Sequence, residues 1–152
     1  MPYSVLVSVG VLLLAVGGCS RSEEPQAGSS SAAQVSAPAG HSGKGIGPVQ
    51  NVQLGPLDKA LAEKGRGIFE QKCAACHRFD ERFVGPPLKG VTQKRAPEWI
   101  MNMILNPVEM TQKDEAAREL LATYLTQMTF QNVSQEDARA ILEYFRQVDG
   151  DS

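Results

Sequence analysis

The sequence predicts an all-α domain at residues 57–149, with about four helices. Apolar residues recur at helical spacing in four stretches of this region, and no stretch is rich in strand-forming residues. Hydrophobic residues make up 42% of the chain, as in ordinary globular proteins, whereas aromatic residues make up only 6%. The folded part is therefore expected to be small and helical, with few aromatic side chains in its core.

The first two predicted helices are recognised by periodicity and by proline. The first covers residues 58–74, and its apolar positions fall on or near one face: Leu57, Leu61, Ile68, Phe69 and Cys73. The second covers residues 97–105, begins with Pro97 in its first turn, and stops at the Asn106-Pro107 pair.

The last two predicted helices complete the domain. The third covers residues 114–127 and carries apolar residues at helical spacing. The fourth begins at Ser134, and Asp137 three residues later gives it the start of a capping box. The apolar face of this helix extends to about Val148, so the predicted domain ends with a long amphipathic helix.

A CxxCH motif, Cys73-Ala74-Ala75-Cys76-His77, stands at the C-terminal end of the first predicted helix. This is the pattern of covalent c-type haem attachment: two thiolates add to the vinyl groups of haem, and the adjoining imidazole becomes the proximal iron ligand. A chance occurrence of the motif has odds of roughly one in a thousand for so few cysteines and histidines. The sequence therefore predicts one covalent haem c, with its iron, held by Cys73, Cys76 and His77.

Two other uses of this motif fit the sequence less well. A thioredoxin-like dithiol requires a βαβ setting, whereas the surroundings of the motif are predicted to be helical. A tetrahedral zinc site requires two more Cys or His ligands, and only Cys19 and His41 remain in the chain. Both of these residues lie in segments that we expect to be cleaved or disordered.

The N-terminal segment has the pattern of a lipoprotein signal peptide. An apolar run at residues 5–16 is too short to cross a bilayer comfortably, and residues 16–19 (VGGC) resemble the lipobox of bacterial lipoproteins. Cleavage would remove residues 1–18 and leave Cys19 as the lipid attachment residue. A retained N-terminal membrane helix is the alternative. Both interpretations place the domain outside the cytoplasm, on the periplasmic side of a bacterial membrane.

Residues 19–56 are predicted to form a lipid-anchored flexible linker. Ser, Ala, Gly, Pro and Gln dominate this segment, which has almost no bulky apolar residues. Such a composition cannot bury enough apolar surface to order the chain, so we expect a tether that ends at the folded domain.

Besides its CxxCH motif, the folded part resembles class I cytochrome c of the bacterial monohaem type. Gly65, Phe69 and Cys73 follow one another at four-residue intervals, as a glycine, an aromatic residue and the first haem cysteine do in that family's N-terminal helix. The resemblance implies the cytochrome c fold, in which this helix crosses the C-terminal helix near the glycine. The matching positions on the C-terminal helix are Ile141 and Tyr144.

The resemblance also assigns residues around the haem. Residues 85–88 (GPPL) resemble the family's Gly-Pro-x-Leu segment, whose proline carbonyl accepts a hydrogen bond from the proximal histidine. Pro86 is thus expected to orient the His77 ring and to tune it as a ligand. Arg95 and Trp99 are candidates to donate hydrogen bonds to a haem propionate, as such residues do in related proteins.

Methionine is the natural sixth ligand, because His/Met ligation gives a high-potential electron-transfer haem. Met101 and Met103 fall inside the second predicted helix, where core packing is the simpler role. The resemblance implies Met128, because the family's ligand methionine comes from a loop shortly before the C-terminal helix. Met110 and an open or water-bound site remain as alternatives.

Charge is distributed unevenly along the folded part. Residues 57–95 contain nine Lys/Arg and five Asp/Glu, whereas residues 96–152 contain four Lys/Arg and ten Asp/Glu. We expect a basic rim at the exposed haem edge that steers docking onto an acidic patch of a redox protein partner. With a net charge of −2, the chain is not expected to bind nucleic acid.

These features predict a single-electron carrier that shuttles electrons between respiratory partners, such as a reductase and an oxidase, at a membrane surface. We expect a monomer with no enzymatic activity and no small-molecule substrate. Two alternatives stay open. One is a haem enzyme or gas sensor with an open sixth site, and the other is a fixed cytochrome subunit of an oxidoreductase complex.

Overall fold

The computed structural model describes residues 43–151, and the predicted signal peptide, Cys19 and His41 lie outside these residues. The described residues form six helices: α1 Lys59–Lys72, α2 Val91–Lys94, α3 Pro97–Leu105, α4 Pro107–Lys113, α5 Glu115–Tyr124 and α6 Gln135–Asp149. They contain no strand, so the prediction of an all-α fold is confirmed. None of the six helices has the length and apolar character needed to cross a membrane.

The helix boundaries follow the local signals closely at some ends and not at others. α6 starts after Ser134, and both hydrogen bonds of the capping box with Asp137 are present. The predicted third helix ends at Tyr124 and not at residue 127, because Leu125 caps it in the left-handed conformation, with φ of 52°. α2 and α4 were not predicted. Pro107 both ends α3 and serves as the first residue of α4.

α1 and α6 cross at Gly65, where the absence of a side chain lets the two backbones meet. A Cβ atom at Gly65 would overlap the carbonyl group of Ala140 and would lie 2.9 Å from the amide nitrogen of Ile141. The contact is thus centred on Ala140 and Ile141, slightly N-terminal to the predicted pair of Ile141 and Tyr144. One turn after the crossing, the ring of Phe69 packs 5.7 Å from that of Tyr144, centroid to centroid.

The C-terminal end of α6 holds the segment that contains α2. The Asp149 carboxylate accepts hydrogen bonds from the backbone amide of Gly90 at 2.6 Å and from that of Thr92 at 3.0 Å. It also accepts one from the Thr92 hydroxyl at 2.7 Å. A carboxylate at this position satisfies amide groups that α2 leaves without a partner at its first turn. These bonds therefore fix the backbone of α2, whose C-terminal end carries the basic residues Lys94 and Arg95.

Residues 43–52 pack against α3, and we call them the strap. The buried amide of Asn102 accepts from the Val49 backbone amide at 2.9 Å, and it donates to the carbonyl oxygens of Val49 and Lys44 at 2.9 and 3.0 Å. The Val52 amide donates to Glu98 at 3.0 Å. This ordered packing differs from the flexible linker expected as far as residue 56. Besides these bonds, the strap buries Val49 in the core and packs Ile46 and Val52 against it, so both backbone hydrogen bonds and apolar contacts order the segment.

We predict opposite effects for two glycine substitutions in α1. Gly65→Ala is expected to lower the free energy of unfolding by about 1–3 kcal/mol, because its new methyl group forces α1 and α6 apart. Gly67→Ala is the matched control, since its Cβ would meet nothing within 4 Å. It is expected to raise stability by up to about 1 kcal/mol through helix propensity. Urea unfolding of both haem-loaded variants, followed by far-UV circular dichroism, measures the difference. Equal losses at both positions would contradict the crossing described above.

Candidate haem-binding site

The CxxCH motif forms a turn directly after α1. The amides of Cys76 and His77 both donate to the carbonyl oxygen of Cys73 at 3.0 Å. The Cys73 amide in turn donates to the carbonyl oxygen of Phe69, the last bond of the α1 ladder at this end. Cys73 and Cys76 form no disulfide with each other, and both line the same cavity as the His77 ring. The turn therefore presents two sulfur atoms and one imidazole to a common space.

Backbone hydrogen bonds fold residues 83–89 back onto this turn. The Gly85 amide donates to the carbonyl of Cys76 at 2.9 Å, and the Leu88 amide donates to that of Arg78 at 3.0 Å. The carbonyl oxygen of Pro86, which lies between these two bonds, is 3.2 Å from Nδ1 of His77. This is the contact that the family resemblance implied. It fixes the ring and leaves Nε2 free to act as a metal ligand.

The His77 ring also requires a glycine beside it. A Cβ atom at Gly85 would lie 2.5 Å from Cε1 and 2.9 Å from Nδ1 of the ring. No side chain fits in this space while the ring keeps its position. Gly85 therefore has two roles: its amide bonds to the CxxCH turn, and its lack of a side chain leaves room for the His77 ring.

Burial changes the acid–base properties of the motif. Loss of solvent lowers the pKa of His77, and the Pro86 carbonyl opposes this in part by accepting from the protonated ring. The imidazole therefore stays neutral, and able to bind iron, to lower pH than an exposed histidine. Burial also raises the pKa of the Cys73 thiol, although the nearby Lys72 ammonium acts in the opposite direction.

The cavity next to the motif has a volume of about 380 Å³ and mostly apolar walls. Side chains of α1, α3, α5 and α6 form these walls: Phe69, Trp99, Ile100, Met103, Ile104, Ala117, Leu120, Leu121, Ile141 and Phe145. Four basic residues also line it, and no Asp or Glu does: Lys72, Lys89, Lys94 and Arg95. A flat apolar group that carries two carboxylates and bonds to two thiols, as haem does, fits this lining.

Of the four methionines in the described residues, Met103 and Met128 line the cavity, and Met101 and Met110 do not. Met128 lines the cavity together with His77, and Met103 contributes to the cavity wall from α3. Met110 is fully buried and does not line the cavity, because its sulfur atom accepts a hydrogen bond from the Ile46 amide of the strap at 2.9 Å. This geometry favours Met128 over Met110 as an iron ligand.

Trp99 and Arg95 both line the cavity, but the Trp99 donor is used differently from expectation. Its indole N–H donates to the carboxylate of Asp114 at 3.0 Å and not into the cavity. Asp114 is 3% exposed and also caps α5 by accepting from the Ala117 amide. A buried carboxylate requires hydrogen-bond donors, and the Trp99 indole N–H is one of them. The Arg95 guanidinium lies 4.8 Å from the centre of the Trp99 ring and covers its face.

Comparison with known proteins agrees with this geometry. The family model of cytochrome c matches residues 62–149. The chain belongs to the cytochrome c family.

Solved structures of this family resemble the fold over most of their length. A cytochrome c from Rhodothermus marinus is 50% identical, with a TM-score of 0.68, and the match covers 70% of this chain and 93% of that one. An engineered variant of that protein, bound to a carbene intermediate, is 48% identical, with a TM-score of 0.65 and coverage of 70% and 94%.

Curated relatives match over shorter segments. A cytochrome c-553-like protein of Synechocystis is 37% identical over 49 residues, and a cytochrome c-551 of Stutzerimonas stutzeri is 49% identical over 41 residues. These segments are 32% and 26% of this chain. The chain spans less than half of each relative, 47% and 39% of their respective lengths.

Family membership and the lining of the cavity together identify the cofactor. The chain binds a covalent c-type haem with its iron, as members of this family do. Cys73 and Cys76 are the residues placed to attach it, and His77 is the residue placed to ligate the iron from one side.

We predict that Gly85→Ala impairs haem binding without unfolding the helices. The added methyl group would push the His77 ring from its place against Pro86, so the fraction of purified protein that carries haem is expected to fall severalfold. The pyridine haemochrome absorbance per polypeptide measures this fraction. Gly55→Ala serves as the control, because its Cβ would meet nothing within 4 Å. Full haem loading of the Gly85→Ala protein would show that the ring does not depend on this glycine.

Proposed function

We propose that this protein is a single-electron carrier whose haem iron is ligated by His77 and Met128. The observation that carries the proposal is that both side chains line one cavity together with the thiols of the CxxCH motif. When bound, the haem supplies an iron that takes up and releases one electron at a time. Membership of the cytochrome c family supports this role.

The residues of the chain bind the cofactor and exclude water from it. Cys73 and Cys76 attach it, while the Pro86 carbonyl holds His77 in one orientation. The apolar walls formed by α3, α5 and α6 keep the surroundings of the iron at low polarity, which favours the less charged ferrous state. A thioether ligand from Met128 acts in the same direction, so a high reduction potential is expected.

A haem enzyme or gas sensor is the second candidate function. The engineered cytochrome c from Rhodothermus marinus that is bound to a carbene intermediate supports this candidate, because it is a protein of this fold that holds a reactive intermediate. That role requires an open sixth site. Ligation by Met128 would close the site, so the state of this residue distinguishes the two functions.

Docking of redox partners is proposed to use the basic side of the cavity. Lys72 at the end of α1, Lys89 in the following loop, and the neighbours Lys94 and Arg95 at the end of α2 come from three places in the chain but line one cavity. Their combined positive charge would attract an acidic protein surface and orient it toward the haem edge. A monomer that meets a reductase and an oxidase in turn is the simplest form of such a carrier.

Membrane attachment is the last part of the proposal, and its support is the sequence pattern at residues 16–19. We propose that Cys19 carries the lipid and that the carrier works on the periplasmic side of a bacterial membrane. Intact mass spectrometry of protein matured in a bacterial host tests both modifications. The expected mass is that of residues 19–152 plus one haem and a diacylglyceryl group, with or without an N-acyl chain. A mass without haem would overturn the assignment of the CxxCH motif.

We predict that Met128→Ala abolishes the methionine-to-iron charge-transfer band of the ferric protein. The same change is expected to make the ferrous protein bind carbon monoxide readily, because the sixth position becomes open. Met110→Leu and Met103→Leu are controls, and both are expected to keep the band. Absorbance spectra of the four proteins measure this. If wild type lacks the band and binds carbon monoxide as readily as Met128→Ala does, the enzyme or sensor function is supported.

We predict that electron exchange with small anionic oxidants depends on the basic residues at the cavity. Lys94→Gln is expected to slow oxidation by ferricyanide about twofold at low ionic strength, with the effect lost at high salt. Lys59→Gln removes the same charge from an exposed position that does not line the cavity, and it should change the rate less. Stopped-flow kinetics at several salt concentrations measure both. Equal effects of the two substitutions would argue against steering by the cavity rim.

A further inference from the structure

We propose that the strap, residues 43–52, holds the Met128 loop in place through helix α4. The inference rests on the proposed ligation of iron by Met128. It makes Thr111 and Gln127 positioning residues for that ligand, and it connects the segment that leads into the predicted linker with the iron site. Release of the strap would then loosen the Met128 side of the haem.

The first link joins the strap to the start of α4. The Ile46 amide donates to the sulfur atom of Met110 at 2.9 Å, and the Asn106 side chain donates to the Ile46 carbonyl at 3.3 Å. Gly45 lies against the same side chain, since a Cβ there would be 2.7 Å from the Met110 sulfur. Met110 is fully buried, so a change in the strap cannot be absorbed by moving this side chain into solvent.

The second link joins α4 to the loop. Thr111 follows Met110 directly and is 6% exposed. Its hydroxyl group is 2.9 Å from the side-chain oxygen of Gln127, and 3.0 Å from the carbonyl oxygens of Pro107 and Val108 in its own helix, so Gln127 is the nearest of three acceptors for one O–H. The Gln127 amide nitrogen donates to the carbonyl oxygen of Met128 at 2.9 Å. One side-chain amide thus connects α4 with the backbone of the proposed ligand.

This connection matters because the loop has little other support near Met128. α5 ends at Tyr124, and the following Leu125 is 85% exposed in a left-handed conformation. The far end of the loop is held by a hydrogen bond from Lys72 to the Gln131 carbonyl at 3.2 Å, in an exposed position. The bond between Thr111 and Gln127 is partly buried, whereas the bond from Lys72 is exposed, so the tie through Gln127 is the better shielded of the two.

The links give the strap a defined effect on the sixth ligand. With the strap docked, α4 keeps Thr111 opposite Gln127, and Met128 stays in reach of the cavity. With the strap released, Met110 and Asn106 lose their partner Ile46, although Asn106 keeps its bond to Glu109; α4 can then shift, and the loop opens more often. The strap then changes the population of the open state and not the identity of the ligand.

Thr111→Val tests the second link. It keeps the shape of the side chain and removes the hydroxyl, so loop opening is expected to increase about fivefold, the factor for one neutral hydrogen bond. Thr123→Val is the matched control, because the Thr123 hydroxyl bonds only to the Glu119 carbonyl of its own helix among the described residues. Two readouts apply: the rate at which imidazole displaces the sixth ligand of the ferric protein, and amide hydrogen exchange of residues 126–131.

Gly47→Ala tests the first link. A Cβ at Gly47 would overlap the Asn102 amide, which holds the strap, whereas a Cβ at Gly55 would meet nothing within 4 Å. Gly47→Ala is therefore expected to accelerate both readouts, and Gly55→Ala is not. Combined with Thr111→Val, Gly47→Ala should add little further effect, because both substitutions interrupt the same connection.

The outcomes separate this inference from the proposed function. Faster loop exchange in Thr111→Val and Gly47→Ala, with unchanged controls, supports the inference. Unchanged exchange in folded Thr111→Val overturns it, whether or not Gly47→Ala folds. If imidazole binds wild type and Met128→Ala at the same rate, the proposed ligation by Met128 fails. Loop exchange would still report on the coupling between strap and loop in that case.

Discussion

The close contact between α1 and α6 at Gly65 determines where the haem site lies. Because the two backbones meet there, Phe69 is directed toward Tyr144 and Phe145, and α1 ends where the cavity begins. The CxxCH turn follows at once, so the position of both thiols is set by the helix crossing. A larger residue at Gly65 would move the attachment point of the haem along with the helix.

The two proposed iron ligands, His77 and Met128, are held by different means. On the His77 side, backbone hydrogen bonds between the CxxCH turn and residues 85–88 form a compact unit that includes the Pro86 carbonyl. On the Met128 side, the chain runs from α5 to α6 without regular structure, and side chains provide the ties. Because backbone groups hold His77 and side chains hold Met128, the proposed ligation by Met128 implies that this residue leaves the iron more readily than His77 does.

The sequence was sufficient for features that depend on local chemistry. The CxxCH spacing, the Gly65-Phe69-Cys73 interval and the Ser134 capping box each combine residues that lie close together in the chain, and the structure shows the expected turn, crossing and cap. Met128 lies between α5 and α6 and lines the cavity, while its role as an iron ligand stays a prediction.

Features that depend on distant partners could not be predicted in this way. Ordering of the strap depends on Asn102, whose amide bonds to backbone more than fifty residues away in the chain. The pairing of Trp99 with Asp114 and of Met110 with Ile46 likewise joins separate elements. Composition alone indicated disorder for residues 43–56, because it counts few bulky apolar side chains there. It cannot show that Val49 enters the core or that strap backbone groups find buried partners.

The course of the strap also separates two regions of the surface. The strap bonds to Glu98 and Asn102 on one face of α3, while Trp99, Ile100 and Met103 on the opposite face line the cavity, and no strap residue does. The polypeptide thus enters the domain from behind the helix that backs the haem. No strap residue lines the cavity, so a macromolecule that binds at its basic residues would not contact the strap there. The chain that precedes the domain and a redox partner can therefore occupy different faces of the domain.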